Sequence, residues 1–139
     1  MKALPKMAAA AKSPALKKAI EAHQRQTEGH IKRLDQVFKL CGQKPEAIPC
    51  EAIKGLLKEG DETAGKFKGG RALDAGIVAA AQAVEHYEMA RYGSLCAWAN
   101  ELGIDGAAKI LEATLVEEKE TDLALTSLAQ QSVNVAAMA

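Results

Sequence analysis

Polar side chains of the kind that bind metal ions interrupt the apolar stripes of three amphipathic segments in this 139-residue sequence. In each segment the inward positions advance by threes and fours, as on one face of an α-helix, and the interruption falls near the middle. Six side chains share this placement: His23 and His30 in the first segment, Glu85 and Glu88 in the second, and Glu118 and Asp122 in the third.

Carboxylates and imidazoles that meet in a dry interior need a compensating partner. An ionised carboxylate buried alone is strongly destabilising unless it is paired or coordinated. Divalent iron or manganese would compensate such a cluster, because carboxylate oxygens and imidazole nitrogens are ligands that these ions accept. Spacings of three or four residues present two ligands on one helix face. We therefore predict a metal site formed by these six side chains.

Other interpretations of the same residues stay open. A single helical histidine is usually a surface residue or a satisfied core residue, and a small rotation of its helix would expose Glu85. The run from 117 to 120 is typical of a solvated helix face. The polar layer could also be hydrogen-bonded without metal, with Arg91 as the available cation. His86 lies about 100° around the helix from Glu85, so we expect it to face a neighbouring helix or solvent.

Glycine and proline divide the chain into the elements that must position these residues. Ser13 is a suitable N-cap and Pro14 fits the first helical position, so a long helix is predicted to begin there. Asp105 is expected to cap the last helix. The predicted helices cover residues 1–12, 13–41, 50–58, 71–102 and 105–130.

The pattern predicts an all-α chain of one domain, residues 1–139, with its long helices packed antiparallel in a bundle. The stretch 59–70, which contains several glycines, is expected to be loose. The tail 131–139 is expected to fray.

Composition restricts the functional classes. The 18 basic and 18 acidic side chains cancel, so nucleic acid and anionic membranes are not expected partners. No apolar run approaches the roughly 20 residues that span a bilayer. The three cysteines show no CxxC spacing, which favours a reducing, cytoplasmic location. Neither a glycine-rich phosphate loop nor a nucleophile elbow indicates another kind of enzyme.

Several motifs follow one another in a fixed order along nearly the whole chain. They are the segment 2–7, the histidine run 23–34, Cys50-Glu51-Ala52, the segment 79–93 with its Glu85-His86-Tyr87-Glu88 core, and the segment 117–122. Together they resemble the YciF/YciE family of ferritin-like bacterial stress proteins, formerly a domain of unknown function.

The resemblance implies a ferritin-like antiparallel four-helix bundle with one additional short helix. It also implies a di-iron type site, assembly into homodimers or higher homo-oligomers, and induction under stress. Glu85, Glu88, Glu118 and the two histidines would be the ligands, with Asp122 a weaker candidate.

Two departures from the family pattern concern the metal site. Family members normally begin with a longer first helix whose glutamate would supply a ligand, so we expect a truncated first helix and one absent ligand. Thr27 stands where a ferritin would have the glutamate of a Glu-xx-His motif. An incomplete site, a single-metal site and an empty site therefore all stay open.

Two functions follow from these observations. The first is a metal-binding stress protein whose iron or manganese reacts with oxygen or peroxide, as the resemblance suggests. The second is a non-catalytic structural or dimerisation module with an empty or incomplete site. It is favoured by an apolar groove, expected between the second and the last long helices, that a partner chain could fill.

Overall fold

The computed structural model describes residues 3–139, and the prediction of an all-α chain is confirmed over this range. Seven helical elements follow in order: α1 (Ala3–Ala10), α2 (Pro14–Leu40), α3 (Glu51–Lys66), α4 (Leu73–Glu101), α5 (Asp105–Leu128), a π-helical turn (Ala129–Val133) and α6 (Asn134–Met138). Each of these helices is too short or too polar to cross a lipid bilayer.

The start of α2 is set by local chemistry, as the sequence predicts. The Ser13 hydroxyl accepts a hydrogen bond from the backbone N–H of Leu16 at 3.3 Å, and Pro14 is the first helical residue. The cap predicted for α5 is wrong, because Ile104 occupies the capping position and Asp105 already lies inside the helix. There its carboxylate interacts favourably with the helix dipole.

Helix α3 continues eight residues beyond its predicted end, through the stretch that was expected to be loose. The reason is close packing against α4. A Cβ atom on Gly60 would lie 3.1 Å from the Ala80 side chain, and one on Gly76 would lie 2.8 Å from the Thr63 methyl group. Glycine weakens an isolated helix, but here it permits two helices to approach closely.

The prediction that the chain frays after residue 130 is also wrong. The π-helical turn and α6 carry the helix on to Met138. Val133 is buried and packs in the same apolar cluster as Leu73 and Ile77. This tertiary contact stabilises the end of the chain, whose local sequence alone is weakly helical.

The helices around the centre alternate in direction. Helix α5 runs antiparallel to α2, because His30 contacts Glu117 and the earlier His23 contacts the later Thr121. Helices α2 and α4 run parallel, because Ser13 and Asp74 meet where both begin and His23 contacts Glu85 further along both. The Asp74 carboxylate fixes this pair by accepting hydrogen bonds from the backbone N–H groups of Lys12 and Ser13, at 2.8 and 2.7 Å.

The core consists of two apolar clusters separated by a polar layer. One cluster is formed by the first halves of α2 and α4 with the end of α5, and it includes Leu16, Ile77 and Leu125. The other lies at the opposite end and includes Tyr92 and Leu111. The side chains between them are those that the sequence singled out.

Candidate metal centre

Four side chains from three helices meet in the polar layer. They are His23 of α2, Glu85 and Glu88 of α4, and Glu118 of α5, and each offers a ligand atom within 4.8 Å of the others. His23, Glu85 and Glu118 are buried, with exposed fractions of 5%, 2% and 1%, and Glu88 is partly buried. Glu85 and Glu88 share a face because they are one helical turn apart.

The two ring nitrogens of His23 have different partners. The hydroxyl of Thr121 donates to the Glu117 backbone carbonyl at 3.0 Å, so its oxygen is free to accept from Nδ1 of His23 at 3.2 Å. The other ring nitrogen, Nε2, then faces the Glu85 carboxylate at 3.2 Å. A hydrogen bond that fixes one imidazole nitrogen and leaves the other toward the centre is usual for histidines that bind metal.

Two carboxylate oxygens of the group lack hydrogen-bond partners among the described residues, namely Oε2 of Glu85 and Oε2 of Glu118. Both atoms are buried. A buried acceptor left unsatisfied costs about 1–3 kcal/mol, so two of them in one group destabilise the metal-free fold. A bound cation would satisfy both oxygens.

The pKa values of the group also indicate that it lacks a compensating positive charge. Burial, followed by the charges of Glu118 and Glu85, raises the pKa of Glu88 to about 7. Burial also raises the pKa of Glu85. Burial lowers the pKa of His23, but the hydrogen bond and charge of Glu85 outweigh it, so the net pKa is raised. Without a cation, Glu85 and Glu88 therefore hold protons more tightly than usual.

The residues fit a divalent first-row metal ion. One imidazole nitrogen and three carboxylates are suitable ligands for iron, manganese or zinc. Metal–ligand bonds of about 2.1 Å would put any two ligand atoms of one ion within about 4.2 Å of each other. The observed spacing, up to 4.8 Å, requires only small side-chain movements to reach that geometry.

A cavity of about 180 Å³ adjoins the group between α2 and α5, where the sequence predicts a groove. His23 and Glu85 form part of its wall, and Ala22, Ala124 and Leu125 contribute apolar surface. The cavity gives a small molecule space next to two of the candidate ligands.

The other two predicted ligands lie beside the group and have different partners. His30 contacts Glu117 through Nε2 at 2.7 Å and Glu118 through Nδ1 at 3.1 Å. Asp122 accepts a hydrogen bond from Gln82 at 3.0 Å and lies 3.2 Å from the ring of His86. His86 is largely exposed, in agreement with its predicted orientation.

Sequence reasoning missed Glu117 and Arg33. The sequence places Glu117 in a run typical of a solvated face, but the Arg33 guanidinium binds its carboxylate through two hydrogen bonds of 2.7 and 2.8 Å. The hydrogen bond from Arg33, with a second from His30, lowers the pKa of Glu117 to about 2. Arg91, the cation expected in this role, instead lies 5.5 Å from the ring centre of Tyr87.

Fold and site together define an all-helical protein with a buried cluster of carboxylates and histidines. The family model described as "Domain of unknown function (DUF892)" matches residues 1–138, and the chain belongs to this family. Protein YciF of Escherichia coli K12 is 43% identical over 134 residues, which cover 96% of this chain and 81% of that protein.

Solved structures agree with this assignment. The crystal structure of the E. coli stress protein YciF matches with a TM-score of 0.90 at 43% identity, over 96% of this chain and 84% of that one. YcfI of Rhodopseudomonas palustris matches with a TM-score of 0.86 at 52% identity, over 91% of this chain and 80% of that one. The resemblance identified from the sequence motifs is thereby confirmed.

Proposed function

We propose that this protein is a ferritin-like metal-binding stress protein that holds divalent iron or manganese at His23, Glu85, Glu88 and Glu118. The observation that carries the proposal is a pair of buried oxygens, Oε2 of Glu85 and Oε2 of Glu118, for which the described part of the chain supplies no hydrogen-bond donor. The stress role is supported by the relationship to YciF, which is described as a stress protein.

The ferritin-like part of the proposal is supported by the order and direction of the helices. Helices α1 and α2 pack together across a short turn, and so do α4 and α5. A long connection joins the two pairs and makes α2 parallel to α4. A bundle of two hairpins with one long crossover is the ferritin-like arrangement, and α3 is then the additional short helix within the crossover.

Each residue has a defined part in this proposal. His23 would bind through Nε2, held in place by Thr121, and the three glutamates would neutralise the ion. A bound iron or manganese ion would supply the redox chemistry toward a small oxidant such as dioxygen or peroxide. A second ion is a further part of the proposal, and it would need ligands in addition to these four. The three free cysteines support a reducing, cytoplasmic location.

Metal retention tests the proposal. Metal-free protein is incubated anaerobically with Fe(II) or Mn(II), desalted and analysed by mass spectrometry for bound metal. We expect at least one ion per chain for the wild type and a large loss for Glu118→Gln. Glu112→Gln changes an exposed glutamate of the same helix and should retain metal as the wild type does. Equal retention in the wild type and Glu118→Gln would contradict the proposal.

A second candidate function, a dimerisation module, is favoured by one exposed face of α4. Leu95, Trp98 and the adjoining Leu102 are exposed by 36%, 60% and 73%, at positions that share a helix face. We propose that a second copy of the chain covers this face. The two functions are compatible, because the metal group lies inside the bundle.

Sedimentation equilibrium tests the dimer. The wild type should dimerise, and Trp98→Ser should shift the equilibrium toward monomer at least tenfold. Leu123→Ser, at another exposed apolar position on α5, is the matched control and should dimerise normally. A wild type that is monomeric at all concentrations would exclude this function and leave the metal proposal intact.

A further inference from the structure

A hydrogen-bonded network connects the candidate metal centre to the protein surface. Arg33 binds both carboxylate oxygens of Glu117, at 2.7 and 2.8 Å. Glu117 contacts Nε2 of His30 at 2.7 Å, and Nδ1 of His30 contacts Oε1 of Glu118 at 3.1 Å. Arg33 and Glu117 are partly exposed, at 29% and 26%, whereas His30 and Glu118 are buried.

The partners of His30 determine its chemical role. Each of its ring nitrogens lies within hydrogen-bond distance of a carboxylate oxygen, Nε2 close to Glu117 and Nδ1 close to Glu118. Both nitrogens therefore already have a partner in the protein, and neither is free for a metal ion. His23 differs in this respect, because its Nδ1 contacts a neutral hydroxyl, that of Thr121, and its Nε2 faces Glu85, another member of the candidate ligand group.

The outer part of the network is rigid. A guanidinium that binds a carboxylate through two parallel hydrogen bonds fixes its orientation as well as its distance. Arg33 also lies 3.4 Å from the hydroxyl of Thr114, a buried residue of α5. The position of the Glu117 carboxylate is thus fixed, and it contacts the His30 ring at 2.7 Å.

The inner end of the network acts on Glu118. His30 contacts Oε1 of this carboxylate, while Oε2 is buried and has no hydrogen-bond partner within residues 3–139. One oxygen is therefore fixed and the other is available. Groups that orient a ligand carboxylate in this way typically change metal affinity 10-fold to 100-fold when they are removed, although they do not touch the ion.

We propose that Arg33, Glu117 and His30 are positioning residues that hold Glu118 for monodentate metal binding through Oε2, and that His30 is not itself a ligand. This inference rests on the proposed function and revises the role that the sequence predicts for His30. It also extends the site from the four ligands to the protein surface.

Affinity for Co(II), which substitutes for Fe(II) or Mn(II) and has a visible ligand-field spectrum, gives the first test. We expect Glu117→Gln to weaken Co(II) binding 10-fold to 100-fold, because the amide loses the two-point contact with Arg33. Glu112→Gln, a charge-matched and exposed control on the same helix, should bind as the wild type does. Arg33→Lys keeps the positive charge but cannot make two parallel hydrogen bonds to the Glu117 carboxylate, so it should weaken Co(II) binding by an intermediate amount.

A spectroscopic readout separates positioning from a general structural effect. In Co(II)-loaded protein, a ligated imidazole gives a strongly shifted ring N–H proton resonance. We expect one such ring resonance, lost in His23→Gln and retained in His30→Gln. Two shifted ring resonances, one of them lost in His30→Gln, would show that His30 is a ligand and overturn the inference.

The failure of this inference can be distinguished from failure of the proposed function. A wild type that does not bind Co(II) would overturn both. A wild type that binds Co(II), with Glu117→Gln and Glu112→Gln binding equally well, would overturn only the positioning role. Thermal unfolding by circular dichroism confirms that each variant is folded, and Arg33→Lys supplies the comparison if Glu117→Gln does not fold.

Discussion

Replacing Glu85 with glutamine should stabilise the metal-free protein while abolishing its response to metal. Glu85 is 2% exposed, and its Oε2 has no hydrogen-bond partner among the described residues. Glu118 and Glu88 add negative charge around it. Glu85→Gln removes one of three neighbouring carboxylates and introduces an amide N–H₂ group that can donate to Glu118.

The size of the effect follows from these contacts. An unsatisfied buried acceptor costs about 1–3 kcal/mol, so relief of that cost should raise the free energy of unfolding by a similar amount. For a domain of this size 1 kcal/mol corresponds to about 3–5 °C in Tm. Metal at 100 times its Kd should stabilise the wild type by about 2.7 kcal/mol and leave Glu85→Gln unchanged. Adding metal should therefore remove or reverse the difference in unfolding free energy that favours Glu85→Gln over the wild type.

Thermal unfolding at pH 8 followed by circular dichroism, with EDTA or with excess Mn(II), measures both effects. Glu112→Gln, at an exposed position, should differ from the wild type by less than about 0.5 kcal/mol in either condition. Two results would refute the reasoning: a Glu85→Gln variant less stable than the wild type in EDTA, or equal stabilisation of both proteins by Mn(II).

Three further predictions concern protonation and packing. The pKa of Glu88 is raised from 4.5 to about 7, so the metal-free protein should lose stability as the pH rises through this interval, whereas Mn(II) affinity measured by titration should increase. Gly76→Ala would place a Cβ atom 2.8 Å from a methyl group of α3 and should cost about 1–3 kcal/mol in urea unfolding. Gly55→Ala, with open space around it, should instead stabilise by up to about 1 kcal/mol. Val133→Ala should cost about 1–3 kcal/mol, and Val135→Ala, which is exposed, should have little effect.

The long helices could be predicted because their evidence is local. Ser13 and Pro14 define the start of α2, and the three-and-four spacing of apolar residues continues through α4 and α5. The true end of α3 could not be predicted in this way. It depends on how closely α3 and α4 approach each other at Gly60 and Gly76, and the local sequence of α3 does not determine that distance.

The composition of the site was predictable for a similar reason. The four side chains of the group, His23, Glu85, Glu88 and Glu118, interrupt apolar stripes near the middles of their helices. Packing these helices side by side, in either direction, brings their middles to one layer. The partners of His30 depend on how far each helix rotates about its own axis, which periodicity does not determine. Glu117 was missed because charge alone does not distinguish a solvated carboxylate from one bound by Arg33 of another helix.

The contact of Asp74 with the turn before α2 sets the register of the metal ligands. Asp74 accepts hydrogen bonds from the backbone N–H groups of Lys12 and Ser13. His23 lies ten residues beyond Ser13, and Glu85 lies eleven residues beyond Asp74. At a rise of 1.5 Å per residue these parallel paths measure about 15 and 16.5 Å, so both ligands arrive at nearly the same level. Insertion of a single residue along either path would advance one ligand by about 1.5 Å and swing it about 100° around its axis. Natural variants of this protein should therefore keep both intervals constant in length even where their sequences diverge.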